Sequence, residues 1–368
     1  MGVSLISGDF EMGATGTVTY VDGQHVYAFG HPFLNLGPTS MVMRQAHIFS
    51  ILPSLDSSMK IAGMGSVVGT LTQDRSSAIG GMLGAPPREL HVSVTLASGR
   101  SPDQRFAFSI VHDPALTPLF AYVAVLNALA SYERQNGVLT AATTGTIDFG
   151  ADGRIAIDDI FTGDGVSANA AATILAPVTA MVGNEWHRAM PDAIDLRVKL
   201  SEQQTGSAIE RAWLDTTRPV YGATHTLHIL LRNYRGENET VSLPVTMPAQ
   251  SSGSLSVLVS DAPTLTALEQ REIKPGRPQS LPDLVNTLNH ARRNHTIYVR
   301  LLSSAPGTVA GGETLPALPG STREVLSADR SQSMASLSRS VVGSWELQLD
   351  RVVRGSREWP ITLTPKRQ

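Results

Sequence analysis

His31 stands between Gly30 and Pro32 where a run of alternating residues ends. An imidazole there can take the proton of a serine hydroxyl, which is a poor nucleophile until a base relieves it of that proton. Glycine lets backbone approach closely and proline stiffens the exit, although a strand-end histidine in a loop has the same surroundings. His25, His47 and His91 read as ordinary surface or half-buried histidines. Asp74, Ser76 and Ser77 sit together in the stretch Gln73-Asp74-Arg75-Ser76-Ser77. They are the nearest thing to a nucleophile with an acid beside it, but turns are rich in these residue types for conformational reasons. The bland reading of a hairpin tip is therefore preferred.

Three other patterns carry less. His225 and His228 would share a helical face, but on the strand their surroundings predict they point to opposite sides, which disfavours a metal pair. Asp148, Asp152 and Asp159 echo a calcium loop, yet Gly150 stands at a ligand position and the last residue is Asp where Glu belongs, so a hairpin turn is preferred. Gly63-x-Gly65-x3-Gly69 lacks the strand-then-helix setting of a dinucleotide fingerprint. No cofactor and no metal is expected.

The elements that must position these groups are mostly strands. The 368 residues carry a net charge of −3 and 42% hydrophobic residues, with 32 Gly and 22 Pro but only 5% aromatics, a mixture suited to short strands and tight turns. Interspersed charge of this balance argues against a nucleic-acid partner. There is no cysteine, which removes disulfides, thiolate nucleophiles and Cys-based zinc sites. The longest apolar stretch, Ile174 to Val182, is too short to cross a bilayer and contains Pro177, so no transmembrane segment is expected.

Alternation predicts a hairpin over residues 13–33 turning at Asp22-Gly23, a segment Met41 to Leu52 that is strand or helix, and a second hairpin from Val67 to Leu83. Strands follow at Leu90 to Leu96 and Arg105 to Val111. A helix over 114–136 is capped by Asp113, has Pro114 in its first turn and ends at Gly137. Thr143 to Phe149 and Arg154 to Ile160 read as a hairpin, and a short apolar helix interrupted by Pro177 follows. Five strands from Ile194 to Ser260 have sandwich-like spacing. A helix capped by Ser280 runs to Arg293, a strand covers Thr296 to Leu302, and a Gly/Pro/Ser loop reaches about Ser340 before two closing strands.

The segment Tyr27-Ala28-Phe29-Gly30-His31-Pro32-Phe33, with Asn35-Leu36-Gly37-Pro38, resembles the glycine–histidine block of the SpoIVB-type serine peptidases. Gly69 to Gly81, GTLTQDRSSAIGG, resembles that family's second glycine-flanked hairpin, in the same order and spacing. The resemblance covers residues 1 to 110 well and extends more weakly through 262. It implies a chymotrypsin-like barrel, endopeptidase action on protein or peptide substrates, export to the periplasm or beyond, and His31 as catalytic base. Gly30, Pro32, Asp74, Ser76 and Ser77 become structural neighbours of the site.

The family's serine lies in a Gly-x-Ser-Gly-Ser-Pro block, and no Gly-x-Ser-Gly occurs in these residues. The resemblance places that block upstream of Met1, so the chain is expected to be the C-terminal, histidine-bearing portion of an exported precursor, inactive alone. The opening residues show neither the basic nor the apolar region of an export signal.

The expectation is a mainly β protein with four parts: a peptidase-like barrel portion at 1–165, a linker with a short helix at 166–192, an immunoglobulin-like β-sandwich at 193–262 and a small α+β region at 263–368. The alternative to a peptidase part is a non-catalytic, envelope-associated binding or scaffold protein.

Overall fold

The computed structural model describes residues 1–56, 58–99, 102–131, 139–251, 253–273, 277–305, 308–310, 313–315, 335–336 and 339–365. The chain is mainly β and divides into two compact units. The first comprises Met1–Asn136, Thr143–Ile157 and Ser167–Leu200; the second comprises Gly137–Ala142, Asp158–Val166 and Ser201–Gln368.

The strands of the first part of the chain are β1 (Gly2–Gly8), β2 (Met12–Thr15), β3 (Val18–Asp22), β4 (His25–Ala28), β5 (Gly37–Leu52), β6 (Met59–Asp74), β7 (Ile79–Leu83), β8 (Glu89–Ala97), β9 (Gln104–Val111), β10 (Thr140–Asp148), β11 (Arg154–Thr162) and β12 (Ala193–Ser201). They form one 12-stranded sheet in the order β11-β10-β12-β8-β9-β1-β5-β6-β7-β4-β3, with β2 paired to β1. The expected hairpins at Asp22-Gly23 and 73–77 are present as β3–β4 and β6–β7. Gly23 supplies the positive φ of +57° that its turn needs. The stretch before β3 is not part of that hairpin, because the strand is interrupted after Thr15 and β2 pairs with β1 instead.

Met41 to Leu52 is strand. It belongs to β5, which pairs with β6 from Gly37↔Asp74 to Leu52↔Met59. The far end of this ribbon is apolar and open: Phe49, Ile51, Leu52, Leu55 and Met59 are each more than half exposed. The helix α1 (Thr117–Ala130) buries Ala121, Ala124, Val125, Ala128 and Leu129 and packs on β8 and β9. It starts later than expected. Asp113 accepts the N–H groups of Ala115 and Leu116 in a turn ahead of the helix, and Pro118 takes the first-turn position. Its expected continuation through Gly137 lies outside the described residues. The helix α2 (Val166–Val182) passes through Pro177 unbroken. Ile174, Val178 and Met181 are fully buried on both sides of the proline, and that burial outweighs one lost backbone bond.

The strand expected over Ile194 to Leu200 as the first of the sandwich is β12 (Ala193–Ser201), which pairs in parallel with β8 from Ala193↔His91 to Lys199↔Ala97. A strand that buries every second residue fits any half-buried sheet position, so alternation alone does not choose the partner.

The second unit is built on β13 (Gly206–Leu214), β14 (Thr224–Asn233), β15 (Asn238–Thr246), β16 (Leu255–Ser260), β17 (Thr296–Ser303), β18 (Thr308–Ala310), β19 (Glu313–Leu315), β20 (Ala335–Ser336), β21 (Ser340–Gln348), β22 (Val352–Arg354) and β23 (Ser356–Ile361), with helices α3 (Ala262–Leu268) and α4 (Leu281–Asn289). Two four-stranded sheets, β15-β14-β13-β22 and β21-β17-β16-β23, accompany a small sheet β19-β18-β20. Leu227, Ile229 and Leu231 from the first sheet share one core with Val257, Val259, Ile297, Val299 and Leu301 from the second. Ile297, Val299 and Leu301, with Val353 and Leu363, bring into this core the region expected to be a separate α+β part. Strand β17 is buried along its whole length. Its odd residues enter the shared core, while Tyr298 and Leu302 join Leu258, Ala262 and Leu265 in a second cluster against α3. Arg300 lies buried on that second face with Glu269 at 3.8 Å and Glu346 at 3.7 Å as counter-charges. Ser280 caps α4 as expected: its hydroxyl accepts the Asp283 N–H at 3.3 Å, and the Asp283 carboxylate accepts from the Gln279 N–H.

One histidine of the first unit ties its stability to pH. Burial pushes the His112 imidazole below its ordinary value of 6.5, Arg88 adds to this, and Asp192 with the Pro191 carbonyl opposes it. A depressed folded value means that the unfolded chain binds the proton more readily, so stability is lost as pH falls below about 6.5. Chemical unfolding of His112→Phe between pH 7 and 5 is expected to show a shallower loss than the parent chain; an unchanged slope would remove His112 as the cause.

Candidate functional site

The β4–β5 connection, residues 29–36, carries His31. Its backbone is unusual: Phe29, Gly30, Asn35 and Gly37 all have positive φ, at 73°, 74°, 58° and 76°. Asparagine tolerates this region and glycine is indifferent to it, but Phe29 is strained there and persists only because its surroundings fix it. The Phe29 ring lies over Gly16, where a Cβ would come within 2.3 Å of ring carbon Cδ1. The ring meets Phe33 edge-on at 6.2 Å and His31 at 5.7 Å between centroids. Gly16 is thus required by close approach, whereas Gly30 has open space around it and is required only by its φ of +74°.

The loop is fastened from below by Asp74, the last residue of β6, which is 0% exposed. One carboxylate oxygen accepts the Phe33 N–H at 2.8 Å. The other accepts Leu34 N–H at 2.7 Å and Leu36 N–H at 3.3 Å. Three convergent donors replace the water that a buried carboxylate loses. Asp74 is held in place by the ladder on both sides of it, opposite Gly37 on β5 and Ile79 on β7.

His31 itself is exposed. Its Nδ1 lies 2.7 Å from the Pro32 carbonyl oxygen. A carbonyl only accepts, so Nδ1 is the donor in this bond, and in the neutral ring the lone pair is then on Nε2. The arrangement gives an exposed imidazole whose Nδ1 is engaged by the backbone of its own loop. A backbone oxygen fills the orienting place that a carboxylate holds in a catalytic triad. Among the described residues, no hydrogen bond or ion pair joins His31 to a carboxylate or to a hydroxyl.

The sequence-expected neighbours fall as follows. Gly30, Pro32 and Asp74 are in or under the His31 loop. Ser76 and Ser77 are exposed in the β6–β7 turn, which is closed by Arg75 N–H to the Ala78 carbonyl at 3.0 Å. Nothing in the spacing of the sequence reveals that the Asp74 carboxylate takes its donors from a loop about forty residues earlier. The only hint was an acid placed just ahead of a turn in the second block. His25, His47 and His91 are exposed, and His47 packs edge-on against Phe49 at 5.0 Å.

His225 and His228 point to opposite faces of β14. The first approaches Asp215 at 3.4 Å; the second stacks on Trp213 and bonds Ser242. The Asp148 carboxylate takes Gly150 N–H and Arg154 in a turn. No group of three or more metal-ligating side chains occurs among the described residues, and none of the described helices is long and apolar enough to cross a membrane. Compared with known proteins, the chain matches no family model, no curated protein and no solved structure.

Removing the staple should loosen the loop. Asp74→Ala leaves three N–H groups without their acceptor and is expected to cost about 2–4 kcal/mol in urea unfolding. Amide exchange should quicken at Phe33, Leu34 and Leu36 and stay slow in β1. Asp74→Asn, which keeps one acceptor oxygen, should lose less. Equal stability of Asp74→Ala and the parent chain would contradict the role assigned to this carboxylate.

Proposed function

We propose that the chain is part of a serine endopeptidase of the SpoIVB type, exported and acting on protein or peptide substrates, with His31 as its general base. The observation that carries this reading is an exposed imidazole, bonded through Nδ1 to the Pro32 carbonyl, on a loop pinned by a buried carboxylate. A base must present its lone pair without rearrangement, and the Pro32 carbonyl and Asp74 together provide that. In this reading the 12-stranded sheet contains the histidine half of a chymotrypsin-like barrel, and the serine comes from upstream sequence bearing a Gly-x-Ser-Gly-Ser-Pro block. The shared core of the second unit is then an immunoglobulin-like sandwich that positions substrate.

A second reading, a non-catalytic binding or scaffold module of the cell envelope, is favoured by the open apolar tip of the β5–β6 ribbon. Five large side chains more than half exposed in one ribbon exceed what isolated surface hydrophobics account for.

Fluorophosphonate labelling separates the two. The peptidase reading expects the upstream-extended form to label, the chain alone not to label, and His31→Ala to lower labelling by ~10⁴ or more, while His25→Ala leaves it unchanged. Labelling of the short chain at Ser76 or Ser77 would move the nucleophile into the β6–β7 turn. A folded extended form that never labels leaves the scaffold reading in possession.

A further inference from the structure

A pocket of about 380 Å³ lies in the second unit where β13 begins and β14 and β22 end. Arg232, Arg235 and Arg354 line it together with Ser207, Asn233 and Tyr234, and no carboxylate is among its lining residues. Three guanidinium groups around one cavity repel one another unless an anion lies between them. Arg232 is partly compensated, since its Nε donates to Glu210 Oε1 at 2.9 Å. Arg354 uses one N–H on the Thr162 carbonyl at 3.3 Å, and Arg235 lies over the Tyr234 ring at 5.3 Å. Neither contact neutralises a charge.

The site is also built rather than loose. The Tyr234 N–H donates to the Gly206 carbonyl at 2.9 Å, Asn233 Nδ2 to the Glu237 carbonyl at 2.9 Å, and the buried Ser207 hydroxyl to Asn233 Oδ1 at 2.5 Å. Arg235 has a φ of +52°, a conformation that glycine takes freely, while Gly236 stands next to it.

The geometry points to a binding site here for a small molecule bearing a phosphoryl group, separate from the chemistry of His31. Guanidinium forks match the oxygen spacing of phosphate, a doubly charged group answers the two uncompensated cations, and the volume suits a phosphate ester or pyrophosphate better than a lone ion. The same forks also accept carboxylates, so the probe must separate the two.

Calorimetric titration of the full chain with inorganic pyrophosphate, and in parallel with citrate, tests this. The expected result is saturable binding of one pyrophosphate, weakened about tenfold or more in Arg354→Gln and in Arg235→Gln. Arg211→Gln, which removes an exposed arginine of the same unit outside the pocket, should leave it unchanged. Circular dichroism establishes that each variant is folded, and either pocket variant suffices if the other is not. Absence of saturable binding overturns the proposal, as does an equal loss in Arg211→Gln, which would mean diffuse charge attraction. Citrate binding more tightly than pyrophosphate overturns the phosphoryl assignment.

Discussion

A carboxylate taken out of water must be given hydrogen-bond donors, and in this chain the donors are the backbone N–H groups of loops that would otherwise be unsupported. Asp74 is the clearest case, gathering Phe33, Leu34 and Leu36 beneath His31. The second unit repeats the device. Asp261 accepts from Thr264 N–H at the start of α3 and from Gly355 N–H between β22 and β23. Asp159 accepts both the backbone and the side-chain N–H of Asn294 ahead of β17. Each acid joins two segments distant in sequence through bonds that no strand pairing supplies. With no cysteine in the chain, these carboxylates hold connections that disulfides hold in other small-looped proteins.

Much of the local structure was legible in the sequence because it rests on local rules. The period of two located β3, β4, β8, β9 and β14, and the Asp22-Gly23 turn followed from the φ that Gly23 must adopt. The Ser280 cap of α4 followed from a hydroxyl placed to receive the Asp283 N–H. Opposite placement of His225 and His228 followed from strand geometry alone. What failed was pairing and extent. Ala193–Ser201 alternates as well beside β8 as it would in a sandwich, so its parallel partner is fixed by tertiary packing. The second sheet of the shared core draws strands from 255 to 361, and the length of sequence between β17 and β21 hides their relation. Pro177 reads locally as a break, but a helix with a fully buried apolar side continues through it.

The candidate site divides along the same line. His31, Gly30 and Pro32 stood out as a short motif with a mechanism attached. The supporting parts did not: the Pro32 carbonyl that engages Nδ1, the Phe29 ring over Gly16, and the inward turn of Asp74. These are contacts between segments, and a residue's type does not disclose which distant backbone it will meet. The arginine-lined pocket was equally silent, because Arg354 lies more than a hundred residues from Arg232 and Arg235, and each looks by itself like ordinary surface charge.

Strand β17 has a further consequence. One of its faces belongs to the core shared by the two four-stranded sheets, and the other belongs to the cluster under α3. The two cores therefore have a common wall eight residues long, and neither can lose its packing without exposing the backbone that supports the other. The α3 layer and the paired sheets are therefore coupled through one strand, and loosening either face is expected to weaken the other.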